Sequence, residues 1–315
     1  MEKISLVITV RNEEKSIKKL LQSIKVQKTK PDEIIFVDAF SSDSTFKKLL
    51  AWKFREKKVF QYKGNRSQGR NFGIQKASYS VIAVTDAGCE LDKMWLFELK
   101  KTLQAKKADV VPGFYVPNTS SAFQLAIAPL IAVSKNKLDE KTFLPSSRSL
   151  LFKKSIWKKA GKYPEELDTC EDLVFAERLR LQNNHWVMNS KALVKWDMPS
   201  TLQEFSKRVF RYALGDLQAG YTRHVRKITK ASARALLLVF SLLASIIVQA
   251  PLVFLVLAIV YGLLSIFRHI LDLRFFHPKF DSKFFIALML LPIAQGAVDF
   301  ALLFAKIRHT YDTSL

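Results

Sequence analysis

Apolar and polar positions follow two different rhythms along this chain, and the change falls near Lys230. Before it, short apolar runs alternate with amphipathic segments. Ile4-Ser-Leu-Val-Ile-Thr-Val10 is a β-branched run of the buried-strand kind. From Glu13 to about Gln27, Ile17, Leu20, Leu21 and Ile24 recur at helical spacing. Glu33-Ile-Ile-Phe-Val-Asp38 predicts a second buried strand. The polar turn Ser41 to Thr45 leads into a helix through Leu49 and Trp52. Val59-Phe60 reads as a third strand, Arg70 to Ala77 as a short helix, and Tyr79 to Asp86 as a strand ending on an acid. Asp92 to Gln104 is helical and Ala108 to Pro112 a strand. Less regular segments follow: an apolar helix over Ser120 to Val133, a strand over Ser149 to Phe152, and a helix over Asp172 to Leu181. Strand-like Trp186 to Met188 and Ala192 to Trp196 close the series. Alternating strands and helices predict an α/β fold with a largely parallel sheet. Ligands bind outside the carboxyl ends of such strands. The turn after Thr9, Asp38 and Asp86 all fall there.

Beyond Lys230 the rhythm stops. Ala235 to Phe267 holds no Lys, Arg, Asp or Glu. One straight helix of that length would measure about 50 Å, against about 30 Å of hydrocarbon core. Gln249-Ala250-Pro251 divides the stretch into two helices, a membrane hairpin. Phe284 to Ala305 is a third candidate, with the single charge Asp299. That acid serves either function or helix packing. The expected division is a catalytic domain over 1–228 and a membrane region over 229–315. The loop from Arg268 to Lys283 is basic, and so is the first domain. Two crossings between them would put both on the cytoplasmic side. The short basic tail at Lys306, Arg308 and His309 then lies outside, against the same rule, unless one segment is re-entrant or interfacial.

Composition adds two constraints. The net charge of +22 selects anionic partners. The lysines are spread over many segments and no recognition module is visible, so nucleic acid is not the expected partner. Attraction to an anionic membrane leaflet is the simpler account. Cys89 and Cys170 are too few for a disulfide framework and lack zinc-ligand spacing. Reduced thiols fit a cytoplasmic catalytic domain. The strand pattern begins almost at once, with no signal-peptide pattern before it.

Several motifs now fall in a telling order. Thr9-Val-Arg11-Asn-Glu13 ends the first strand. Asp38 ends the second, ahead of Ser41-Ser-Asp-Ser-Thr45. Ser67-Gln-Gly-Arg70-Asn71-Phe-Gly73 and Thr85-Asp86-Ala-Gly88 follow, then Cys170-Glu171-Asp172 and Arg208 to Gly215. Together these resemble the motifs of family 2 glycosyltransferases, over about 215 residues. The resemblance implies a GT-A nucleotide-sugar-binding domain, a Rossmann-like mixed sheet, followed here by transmembrane helices. It implies that Thr9, Arg11, Asp38, Arg70 and Asp86 bind the nucleotide-sugar. Asp86 would hold a divalent cation, Mg or Mn, that bridges the diphosphate. Gly88 replaces the second acid of the family's pair, and Ala39 replaces an acid common in members that use UDP-sugars. Asp172 corresponds to the family's general base and Glu171 to a residue that orients the site. Arg208, Arg211 and Tyr212 stand where processive synthases carry Gln-x-x-Arg-Trp. Pro145 to Ser149 and Trp196-Asp197 are similar to one membrane-associated branch.

The residues themselves allow these roles and plainer ones. Glycosyl transfer needs a clamp for the diphosphate and a base for the acceptor hydroxyl. A guanidinium fork at Arg70 suits phosphate; it also suits a helix start. Asp38 either accepts from the nucleotide or caps its own turn. Thr169-x-x-Asp172 fits a capping box as well as a base. Arg148, Arg208, Arg211 and Tyr212 are candidates for diphosphate or acceptor contact, or simply flank an anchor. The expected function is inverting transfer of a sugar from a nucleotide-sugar to a lipid-linked or membrane-proximal glycan acceptor, in cell-envelope glycan biosynthesis. Two alternatives stay open: a polyprenyl-phosphate sugar synthase, and an inactive membrane-bound protein that binds a nucleotide or partner.

Overall fold

The computed structural model describes residues 2–140 and 142–314. In chain order the elements are β1 (Ile4–Val10), α1 (Ile17–Lys25), β2 (Glu33–Asp38), α2 (Thr45–Ala51), β3 (Lys57–Gln61), α3 (Arg66–Lys76) and β4 (Val81–Asp86). Then come β5 (Cys89–Leu91), α4 (Trp95–Ala105), β6 (Val110–Pro112), β7 (Phe114–Asn118), α5 (Ala122–Ile131), β8 (Leu150–Lys153), α6 (Lys154–Lys159), α7 (Glu171–Leu181) and β9 (Leu193–Asp197). Four helices finish the chain: α8 (Leu202–Gln218), α9 (Thr222–Ile247), α10 (Pro251–Phe276) and α11 (Ser282–Ser314). The chain forms two compact units, one of residues 1–116 with 139–197 and one of residues 117–138 with 198–315. Helices α5 and α8, both before residue 229, therefore pack with the apolar helices.

The first unit is built on a six-stranded sheet in the order β3-β2-β1-β4-β8-β6. The first four strands are parallel, and β8 runs antiparallel to both β4 and β6. Strands β1, β2 and β4 are buried along nearly their whole length, as β-branched runs covered on both faces must be. Register places Thr9 opposite Val37 on one side and Asp86 on the other. The carboxyl ends of the three strands that end in candidate residues thus lie side by side. A small sheet, β5-β9-β7, stands apart from the main one. The strand expected at Trp186 to Met188 reduces to one isolated bridge, Val110 to Trp186.

Helix α3 is set by its glycines and its cap. Asn65 and Gln68 form a capping box at its start. A Cβ on Gly73 would stand 2.6 Å from Val7 Cγ1 and 3.0 Å from Val37 Cγ2. Glycine here lets the helix lie close on β1 and β2, which fixes the depth of Arg70, three residues earlier. Gly73→Ala is expected to destabilise this unit by about 1–3 kcal/mol through overpacking. Thermal unfolding of the variant against wild type measures it.

The second unit is built mainly of helices. Gln249, with φ 57°, and Pro251 at the first position of α10 make the expected break between α9 and α10. Helices α9, α10 and α11 are long and apolar enough to cross a membrane. Their outer faces expose large apolar side chains, among them Ile247, Leu252 and Phe267 at 80%, 71% and 83%. A soluble core would hide such groups. Asp299, on α11, is fully buried. It accepts from Arg234 Nε at 2.8 Å and Nη2 at 2.6 Å on α9, and from Tyr261 Oη at 3.0 Å on α10. Gln295 Nε2 donates to it at 2.9 Å. Of its two expected uses, the structure shows the packing one: three helices pinned through one carboxylate.

Candidate active site

Two loops form one rim at the carboxyl end of the sheet. Asn12 N donates to Ser41 Oγ at 2.9 Å, Glu13 N to Thr45 Oγ1 at 2.8 Å, and Glu14 N to Asp43 Oδ2 at 3.1 Å. In return Ser42 N donates to Asn12 Oδ1 at 2.8 Å. Asn12 and Phe40 both take the left-handed region, with φ 55° and 52°. The loop after β1 is thereby laced to the loop after β2. Thr9 is half-buried at this rim and Arg11 is exposed.

Asp38 serves the rim itself. It is fully buried. Ser41 Oγ donates to its Oδ1, while Ser41 N and Gln61 Nε2 donate to Oδ2 at 3.1 and 3.2 Å. The turn-capping use of Asp38 is thus formed, and Gln61 joins it from the end of β3.

Arg70 is the centre of the constellation. Its Nη2 donates to Asp86 Oδ1 at 2.7 Å. Its Nη1 donates to Glu171 Oε1 at 2.8 Å and to Asp172 Oδ1 at 3.0 Å. The side chain is 1% exposed, and its guanidinium lies 5.3 Å from the centre of the Tyr163 ring. In this structure its fork is occupied by three carboxylates and closed to solvent. One arginine joins the end of β4 to the start of α7. Asn71, next to it, holds the same region together. It donates to Tyr163 O at 2.9 Å and accepts from Tyr163 N at 3.0 Å and Trp157 Nε1 at 3.1 Å.

The acids differ in surroundings. Burial raises Asp86, but Arg70, Arg66 and Arg148 outweigh it and hold the carboxyl at about 2. Glu171 is 2% exposed, and burial together with the neighbouring Asp172 pushes its carboxyl up. Asp172 accepts from Arg70 and, at 2.6 Å, from Ser147 Oγ, and both bonds land on Oδ1. Oδ2 carries neither. Ser147 is in turn 2.9 Å from Tyr163 Oη. Helix α7 starts at Glu171 with Cys170 as its cap residue, at φ 68°. Asp172 is therefore the second helical residue. At that position the helix dipole favours its charge.

Two arginines face the acids from the more open side. Arg66 Nη1 is 3.7 Å from Glu171 Oε1, with its side chain 48% exposed. Arg148 Nε is 4.0 Å from Asp86 Oδ2. Its guanidinium lies between Tyr115 and Trp196, at 5.2 and 4.5 Å from the ring centres. Thr85 Oγ1 donates to Arg148 O at 2.8 Å, tying this segment to β4. Arg66 escaped the sequence reading, although Arg66-x-x-x-Arg70 places both on one helix face. Ser147 and Tyr163 carried no signal of their own. Arg208, Arg211 and Tyr212 lie on α8, in the helical unit.

Asp86, Glu171 and Asp172 balance Arg66, Arg70 and Arg148 in formal charge. Among the described residues no three His, Cys, Asp or Glu side chains converge as a metal site. Asp86 Oδ2, which Arg70 does not bond, is a carboxylate oxygen suited to a cation. A hard ion there would complete its shell with phosphate oxygens and water. A Cβ on Gly88 would meet nothing within 4 Å, so a second acid fits sterically. Gly88→Asp is expected to fold normally and to tighten Mn²⁺ binding in the presence of nucleotide diphosphate, read by calorimetry.

The acids also predict a pH signature. Asp86 has a folded pKa below its ordinary 3.8, so its stabilisation is present above that value and is lost as pH falls toward about 2. Glu171 has the opposite sign: its folded pKa is raised, so its ionisation removes stability as pH rises above its ordinary 4.5. Thermal unfolding across pH 2–7 is expected to show an acid-side loss that Asp86→Asn flattens.

Known proteins share this fold. Residues 5–157 match the family model described as glycosyl transferase family 2. Glycosyltransferase AglE of Haloferax volcanii is 25% identical over 187 residues, 56% of this chain and 60% of that one. The chain thus spans less than two thirds of that relative's length. The S. aureus TarS 1–349 structure in complex with UDP-GlcNAc shares the fold at TM-score 0.51 and 20% identity, over 68% of this chain and 66% of that one. The mannosyltransferase PcManGT of Pyrobaculum calidifontis, in complex with GDP-Man and Mn²⁺, gives TM-score 0.61 at 14% identity, over 99% of this chain and 88% of that one. The ordered strand-end motifs, the mixed sheet and the family match mark residues 5–157 as a glycosyl transferase family 2 domain, built on the GT-A fold.

Proposed function

We propose that the protein is an inverting glycosyltransferase. It moves a sugar from a nucleotide-sugar to a lipid-linked or membrane-proximal glycan acceptor of the cell envelope. The observation that carries this reading is the buried Arg70 holding Asp86, Glu171 and Asp172 together at the carboxyl end of a family 2 domain. Residues 1–228 act as the catalytic part, on the cytoplasmic side, and residues 229–315 as the membrane part. The three apolar helices support the anchor.

In this mechanism Asp172 is the base. Its Oδ1 is fixed by Arg70 and Ser147, and Oδ2 takes the proton of the acceptor hydroxyl. The acceptor's hydroxyl oxygen attacks the anomeric carbon from the face opposite the nucleotide, so the new bond forms as the sugar–phosphate bond breaks and the configuration inverts. Glu171 and Arg70 position Asp172 and Asp86. The leaving diphosphate brings negative charge to a site whose own charges balance. Arg66 and Arg148, the arginines on the open side, supply its neutralisation. A divalent cation on Asp86, when bound, adds Lewis-acid stabilisation of the same oxygens. The solved relatives of this fold carry UDP-GlcNAc in one case and GDP-Man with Mn²⁺ in the other, which supports a nucleotide-sugar donor with either base.

Calorimetry with UDP and GDP, with and without Mn²⁺, tests the donor site. Binding of either is the expected result. No binding of any nucleotide diphosphate would favour a protein that keeps the fold without the activity.

A further inference from the structure

The helical unit holds a cavity of about 690 Å³ that the reaction centre does not use. It lies between α8 and α11. Ala297, Phe300, Ala301 and Phe304 form its α11 wall, spaced at i, i+3, i+4 and i+7, so one helix face supplies all four. Phe210 adds an apolar surface from α8. Lys207 and Arg211, also from α8, line the same space and are exposed. Gln295 and Asp299 lie on the opposite face of α11, where Asp299 accepts from Arg234, Tyr261 and Gln295. The pinned carboxylate fixes the rotation of α11 and so keeps the apolar face turned into the cavity.

We propose that this cavity binds the hydrocarbon tail of the acceptor lipid, with the lipid's phosphate against Lys207 and Arg211. The proposal deepens the transferase reading and rests on it. Three observations support this occupant. The wall is alanine and phenylalanine, which suits a hydrocarbon chain. Lys207 and Arg211, one helical turn apart on α8, are both among the residues that line it, which suits one phosphate. And α11 is a helix long and apolar enough to cross a membrane, so a lipid reaches the cavity without leaving the bilayer. The small side chains Ala297 and Ala301 provide the room.

The full-length protein in phosphatidylcholine nanodiscs is exposed to a diazirine-bearing polyprenyl phosphate and irradiated. Labelling is expected in residues 206–211 and 297–304. Unlabelled polyprenyl phosphate is expected to compete, and polyprenol or phosphatidylglycerol is not. Ala297→Trp puts an indole where the α11 wall now makes room and is expected to reduce labelling by about tenfold or more. Lys207→Ala with Arg211→Ala, on the surface, is expected to reduce the preference for phosphate over alcohol by about tenfold. Should Ala297→Trp fail to fold, the surface pair decides alone. Labelling spread over the outer faces of α9 and α10, equal competition by phosphatidylglycerol, or indifference to the variants would overturn the proposal. Nucleotide diphosphate binding on the same samples separates the two readings. Its presence without labelling condemns the cavity; its absence with labelling intact condemns the transferase.

Discussion

Asp172→Asn is expected to lower turnover by about 10²–10⁴-fold, the usual worth of a positioned general base. Donor binding should not change. The substitution keeps the shape of the side chain, and its amide oxygen can still accept from Arg70 and Ser147, which share Oδ1. What it removes is the proton acceptor at Oδ2. Steady-state rates with saturating donor, beside nucleotide affinity, separate the two effects. Turnover near that of the wild type would reject the base assignment. It would favour a phosphate acceptor, which attacks without deprotonation, as in a polyprenyl-phosphate sugar synthase. Glu171→Gln serves as the contrast: it perturbs the bonds that orient Arg70 rather than the proton acceptor itself.

Arg70→Met is expected to be the most destabilising single change in the first unit. Arg70 is the buried cation among three carboxylates, with donor distances of 2.7, 2.8 and 3.0 Å. Removing one partner of a buried ion pair costs about 3–5 kcal/mol, because charge is left behind without compensation. For a unit of this size that corresponds to a fall in melting temperature on the order of 10 °C. Arg70→Lys should recover little of it. A lysine ammonium is a single point of charge, and it cannot bridge β4 and α7 as a planar fork does. Restoring charge balance by also changing Glu171 to Gln is expected to recover part of the loss. Melting curves of the single and double variants measure the coupling. If Arg70→Met unfolds at the wild-type temperature, Arg70 is not the structural centre of the site.

Much of this architecture could be read from the order of residues. The buried runs at Ile4–Val10, Glu33–Asp38 and Val81–Asp86 specify strands through composition alone, because a parallel sheet covered on both faces demands uninterrupted apolar side chains. The break at Gln249 to Pro251 was equally legible, since proline cannot continue a helix from before it. The acids at the strand ends and before α7 were found by the same route. Their partners were not. Arg70 was visible as a chemical group, but nothing local says whether a guanidinium points at solvent phosphate or at buried carboxylates 16 and over 100 residues away. The full set of bonds to Asp38 was hidden for a similar reason: Gln61 reaches it from a neighbouring strand. The membership of α5 and α8 in the helical unit depends on packing against α11, far along the chain. Charge, burial and period are local properties; pairing is not.

The most direct test of the central claim is the stereochemistry of turnover. Purified full-length protein in nanodiscs containing lipid-linked acceptors is supplied with a panel of UDP- and GDP-sugars. Nucleotide release identifies the donor, and the anomeric coupling constant of the new glycosidic bond is then read by NMR. The expected result is release from at least one donor and a product whose anomeric configuration is opposite to that of the sugar nucleotide. Retained configuration, or no release from any donor by protein that folds and binds nucleotide, would contradict the account.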